Sequence, residues 1–484
     1  MSEIEKVLKP NVYVFAFHLI GEISGRDNPL WNWGDDFLES FTAKKLKTRL
    51  DFSEQSFNLR VDLLPDISLD FETKVSYNHS ELEASGFAKP IKIGDSYALW
   101  LNVGFPDTCA EEVSPQWLST FNPENLLGIV TGEDFIGETI LITAKLPPQS
   151  EAPSRENLQS LADKCRNALL PEKYRPAFNR ADVLFGSPIF EYGLIKQTSN
   201  YQHLLVWFPD SEASEDKLSI YQQEIVDLFY YRNKIIKAFH NSRQIHRIMF
   251  DFYRQVEDNV NCLQQRIDEL DGDLTTENLQ EFKAELKKLL KTALTYTQGL
   301  TKLEDYDNTI AINLNNYDEK LAQIYAKVES DKEEPSILNH FSRKTAPYMR
   351  SQIAGDLGYF RHGTSLIEQA IASIRGIVEI EQARSDRANQ IALRTSELAL
   401  RTSELGEKNR DDRLQSTVQA IGVGLAAGGI AASSGTDKLF ETVQNHHIPV
   451  VMHLHPFAFS FLLSCAIALV AASITWCLTK PKNS

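Results

Sequence analysis

PFAFSFLLSCAIALVAASITWCL, residues 456–478, carries no charged side chain and is long enough to cross the ~30 Å hydrocarbon layer of a bilayer as a helix. Residues 414–436 are likewise free of charge and contain STVQAIGVGLAAGGIAASS at 416–434. The two stretches differ in kind. The later one is bulky, with Phe457, Phe459, Phe461, Leu462, Leu463, Ile467, Leu469, Ile474 and Trp476. The earlier one is built from small residues, with Gly422, Gly424, Gly428 and Gly429 around Leu425. Small residues let helix backbones approach closely in lipid, and Gly424 with Gly428 has GxxxG spacing. Two readings follow: the small-residue helix packs against its bulky neighbour, or Gly422, Gly424, Leu425, Gly428 and Gly429 line a pore while the Phe-rich helix faces lipid. Either way the sequence predicts a chain held in the membrane at its C-terminal end. Transmembrane helices at 414–436 and 456–479 are joined by a loop at 437–455 and followed by a basic tail at 480–484.

Charge sets the orientation. Arg394, Arg401, Lys408, Arg410 and Arg413 precede the first stretch and Lys480 and Lys482 follow the second, whereas Lys438 is the one cation between them. By the positive-inside bias both termini are cytoplasmic and the loop faces out, as in a two-helix protein of a cell inner membrane. That loop holds four of the eleven histidines, His446, His447, His453 and His455. Imidazoles so close together suit a divalent cation such as Mg, Zn, Ni or Co at a pore mouth, or a pH sensor; they also suit an interfacial loop in which they are incidental.

The rest of the chain reads as cytosolic. A net charge of −16 excludes a general nucleic-acid binder. Five cysteines without a CxxC pair give no disulfide framework, and the N-terminus lacks the order of a cleaved signal peptide. No Walker loop, GxGxxG, GxSxG or HExxH is present, so no enzyme activity is expected. Asp66, Asp70 and Glu72 resemble a carboxylate cluster, but Asp70 and Glu72 share one face of a strand and read as solvated.

Residues 1–210 alternate in the strand manner, with strands expected at 12–20, 57–63, 67–71, 97–103, 139–146 and 201–208 and a helix at 157–169. This is an α+β domain with a linker, PPQSEAPS, at 147–154. Residues 217–346 are expected to form antiparallel long helices, and 347–413 a stalk helix carrying the tandem heptads LRTSELA and LRTSELG at 393–406. A helix from 364 to 432 would be about 100 Å long and needs partner helices or copies of itself. Residues 228–250, LFYYRNKIIKAFHNSRQIHRIMF, hold Arg232, Lys234, Lys237, Arg243 and Arg247 without one acid. Such a run either receives a nucleotide or another phosphorylated signal, with Tyr230 and Tyr231 for stacking, or packs beside an acidic helix such as 277–285.

In order and length these pieces resemble the CorA family of divalent-cation channels: a cytosolic α/β domain, long helices, a stalk continuous with the first membrane helix, a short external loop, a second membrane helix and a basic tail. The resemblance implies a homo-oligomer, pentameric, in the lipid bilayer. The family's Gly-Met-Asn signature is missing, since Gly435 is followed by Thr436 and Asp437, which argues against magnesium selectivity. CorA-like proteins lacking the signature also act as membrane effectors of antiviral defence opened by a nucleotide messenger. The resulting expectation is a channel or pore-forming effector gated by a cytosolic ligand or ion through its stalk; the alternative is a membrane-anchored coiled-coil scaffold.

Overall fold

The computed structural model describes residues 4–403, apart from 22, 24, 54–59, 129–131, 149–151, 197–200, 270–274 and 328–334, together with Val470. Both apolar stretches, the glycines Gly422, Gly424, Gly428 and Gly429 with Leu425, and the loop histidines His446, His447, His453 and His455 therefore lie outside the described residues, Val470 apart. Among those described, no helix is long and apolar enough to cross a membrane.

The N-terminal part is a mixed sheet built around β1 (Val7–Leu19). Val12, Val14 and Ala16 enter one core and Phe15 and Phe17 the other, so the middle of the strand is buried on both faces and residues 12–17 form an unbroken run without a charged side chain. One face is covered by α1 (Pro29–Glu39), which starts where Asn28 accepts a hydrogen bond from the Leu30 N–H and Pro29 opens the first turn. β2 (Arg60–Asp62), β3 (Leu69–Tyr77), β4 (Ser80–Ile93) and β5 (Ser96–Gly104) form the left half, with β5 antiparallel to β1. Asp70 and Glu72 are exposed on β3, as expected of solvated acids.

The short β6 (Glu112–Val113) and then β7 (Phe135–Lys145) pair with β1. Helix α2 (Arg155–Leu169) shares the first face with α1 and is capped by Ser154, the last residue of the proline-rich linker. β8 (Phe178–Leu184) and β9 (Ser187–Tyr192) form a hairpin, and β10 (His203–Trp207) lies between β9 and β7, parallel to β7. The path is β2-β4-β5-β1-β7-β10-β9-β8.

Long helices cover the second face. After α3 (Glu212–Ile220), α4 (Gln222–Asp268) lays Ile225, Leu228, Phe229 and Ile236 on Phe15, Phe17, Leu205 and Trp207. α5 (Thr276–Tyr325) returns antiparallel. A short helix α6 (Ser336–His340) then runs through a π-helical turn (Phe341–Thr345) into α7 (Ala346–Ser403). On α5 Phe282, Leu289, Tyr296, Leu303, Ile310, Tyr317 and Ile324 recur every seventh residue and all are buried. Ile353, Phe360, Ile367 and Ile374 do the same on α7, and Met249, Val256 and Leu263 on α4. Residues of this period from all three helices meet in shared buried clusters, a seam of the heptad kind. The Tyr296 hydroxyl donates to the Phe360 carbonyl at 2.8 Å across it, and Arg350 grips Asp307.

The chain divides into compact units at Met1–Glu381 and Gln382–Ser484. In the second unit every described side chain from residue 382 to 397 is exposed, Ile391 and Leu393 included.

Candidate functional site

Where β9 and β10 meet α4, the second face of the sheet becomes polar. Glu191 sits directly opposite Arg180 in the β8–β9 ladder, and Arg180 Nε donates to its Oε2 at 2.9 Å. Arg232 Nη2, from α4, donates to Oε1 at 3.0 Å and to the Tyr201 hydroxyl at 2.9 Å, while the guanidinium stacks over Phe341. His203 Nε2 lies 3.2 Å from Glu191 Oε1, and its Nδ1 is 3.0 Å from Thr139 Oγ1, which accepts from Asn233.

Burial alone would raise the Glu191 carboxyl; the His203 contact and the Arg232 and Arg180 charges overcome it and hold the group well below the usual glutamate range. Burial, with the Arg232 charge, pushes the His203 imidazole down to about 4. The ring is therefore neutral at pH 7, with Nδ1 accepting from Thr139. Glu191, His203 and Arg232 are all buried, and together they lock sheet, α4 and π-turn in one arrangement.

Beside this lock opens a cavity of about 710 Å³, within the range of small-molecule sites. Three segments wall it. Leu194, Ile195 and Lys196 follow β9 past Gly193, whose φ of +116° and whose approach to the Gln202 carbonyl leave no room for a Cβ. Phe239 and Arg243 project from α4 one turn apart, the guanidinium lying over the ring at 5.1 Å from its centroid. His340, Lys344 and Thr345 come from the end of α6 and the π-turn, and Tyr348, Met349 and Gln352 from the first turns of α7. Asn179 closes the wall and also donates to Glu191 Oε2 at 3.2 Å, joining cavity to lock. π-turns inside helices are frequently found at functional sites.

The described lining contains Lys196, Arg243 and Lys344 and no carboxylate, in a chain of net charge −16. Arg243 is paired with Asp356, whose other oxygen is 3.0 Å from His246 Nδ1. Lys196 and Lys344 are exposed and have no ion-pair partner among the described residues. Burial and then the Arg180 charge push His340 below its ordinary value, so it contributes no charge at neutral pH. Phe239 and Met349 are buried behind the lining, whereas Tyr348 and Leu194 leave apolar surface uncovered at the mouth. This is a set of groups for binding an anion with an apolar body.

The five basic residues expected to bind a ligand do not converge. Arg232 is engaged by Glu191, and Lys234 grips Asp95 at 2.6 Å on the far side of α4. Lys237 is half-buried, with burial lowering its ammonium pKa, and Arg247 is exposed. Arg243 alone lines the cavity. The acids these residues meet come from β9, the β4–β5 turn and α7; within 277–285, Glu281 pairs with Arg266, outside the basic run. Tyr230, a candidate for stacking, is buried and donates to Asp95. Among the described residues no group of three or more His, Cys, Asp or Glu side chains is arranged to hold a metal ion.

No family model, curated protein or solved structure matches the chain.

Proposed function

We propose that the chain assembles into a homo-oligomeric, CorA-like membrane channel or pore-forming effector, pentameric, gated by a cytosolic ligand through its long helices. The supporting observation is the cavity at the head of α7. It is walled by the same helix whose sequence continues, eleven residues past Ser403, into the charge-free stretch at 414–436. In this reading Gly422, Gly424, Leu425, Gly428 and Gly429 line the pore of a cell inner membrane protein whose termini are cytoplasmic. The loop histidines His446, His447, His453 and His455 meet divalent cations at the outer mouth. A ligand such as a nucleotide messenger, in keeping with an antiviral effector, shifts the packing of α4, α5 and α7 by as much as its affinities for the two arrangements differ.

Purified protein in liposomes tests this. Ion flux altered at least tenfold by Gly424→Leu supports a pore in which that residue faces the lumen. A wild-type protein no more permeable than empty liposomes, with and without nucleotide, rejects it. That result would favour a membrane-anchored coiled-coil scaffold, for which the seven-residue seam and the exposed Ile391 and Leu393 are the relevant features.

A further inference from the structure

We infer that the cavity between β9, α4 and the π-turn binds a ring-bearing organic phosphate. The ring lies against Tyr348 and Leu194, and the anion is held by Lys344 and Lys196. The inference rests on the gated-channel reading for its consequence at the pore and on the cavity itself for binding.

Four observations converge. The volume, about 710 Å³, accommodates a nucleotide-sized molecule. The cations at the mouth have no carboxylate among the described lining residues to neutralise them, in a chain of net charge −16. Lys344, in the π-turn, lines the same opening as Thr345 and as Tyr348 one helical turn further on. Finally, large apolar groups are left uncovered at the opening, Tyr348 at 49% and Leu194 at 36% exposure, which a bound ring would cover. Arg243 belongs to the wall, with its charge offset by Asp356, so it orients Phe239 and leaves the free positive charge to the two lysines.

The probe is trinitrophenyl-ATP, which fluoresces when its ring is sheltered, added to the detergent-purified full chain. The wild type is expected to bind it in the micromolar range and to release it to ATP, with inorganic pyrophosphate and adenosine each at least tenfold weaker as competitors. Lys344→Glu and Tyr348→Ala are each expected to weaken binding tenfold or more, whereas Lys302→Glu, an equal charge change on an exposed face of α5, leaves it within twofold. Both cavity side chains are exposed or half exposed, so these variants fold. Absence of binding at millimolar probe overturns the inference, as does equal loss in Lys302→Glu or competition by pyrophosphate as strong as that of ATP. Flux and binding separate the two proposals: binding without flux keeps the site and removes the channel, and flux in a protein that binds no probe does the opposite.

Discussion

Replacing Arg232 by Met tests the buried lock. The substitution keeps an unbranched apolar stem but removes the guanidinium that lies over Phe341, and with it the cation from Glu191 and the donor to the Tyr201 hydroxyl, leaving a carboxylate that is 7% exposed. Breaking a buried ion pair from one side costs about 3–5 kcal/mol, because the surviving charge has no water to turn to. Arg180 and His203 remain on Glu191, which places the expected loss at the lower end, ~3 kcal/mol. At roughly 2 °C per kcal/mol for a large domain, the melting temperature falls by about 6 °C. Adding Glu191→Gln removes the stranded charge while Arg180 keeps Asp182, so the double variant recovers ~2 kcal/mol. Thermal unfolding of the wild type, both single variants and the double variant, followed by near-UV circular dichroism, gives the cycle. A single variant as stable as the wild type, or a double variant less stable than Arg232→Met alone, refutes the lock.

Three further outcomes follow from the same structure. The folded His203 value near 4 lies below the ordinary 6.5, so the unfolded chain takes up a proton that the folded one refuses and stability is lost as pH falls from 6.5 towards 4; chemical denaturation at both pH values should show that His203→Gln flattens this slope. Glu138, buried on β7, has the opposite sign: burial pushes its carboxyl up to about 7, so its folded form is favoured at low pH and loses stability as pH rises from 4.5 through 7. Glu138→Gln should therefore stabilise the protein at pH 8, by up to ~3 kcal/mol, and leave it unchanged at pH 4, as read from urea midpoints. Gly363→Leu drives a side chain into Tyr296 and Tyr253, since even a Cβ there collides with the Tyr296 hydroxyl; a loss of about 1–3 kcal/mol is expected, and an unchanged melting temperature would mean that α5 and α7 are not in contact there.

Much of the fold was legible because its strongest signals are local. The apolar run in β1, the strand at Ser96–Gly104 and the capped helix after Ser154 lie within a few residues of where periodicity puts them. α1 is short and its start is marked only by the Asn28-Pro29 pair, while β8 and β9, short strands flanked by irregular segments, carry little pattern. The heptad at 393–406 is legible because six of its seven residues repeat. The longer one from Phe282 to Ile324 is not, because it keeps position but changes residue, mixing phenylalanine and tyrosine with leucine and isoleucine. The buried lock had one faint signal, a lone acid in the otherwise apolar strand SPIFEY. The cavity had none: its walls are three segments separated by tens of residues, brought together when α4 and α7 pack against the sheet edge. The basic run in α4 carried true information about charge but distributed it around the helix, so proximity in sequence did not become proximity in space.

The number of copies in the detergent-purified complex bears most directly on the central claim. Native mass measurement on the 54.8 kDa chain should give five copies; a monomer or a dimer would contradict a pore formed by the glycine-rich helices.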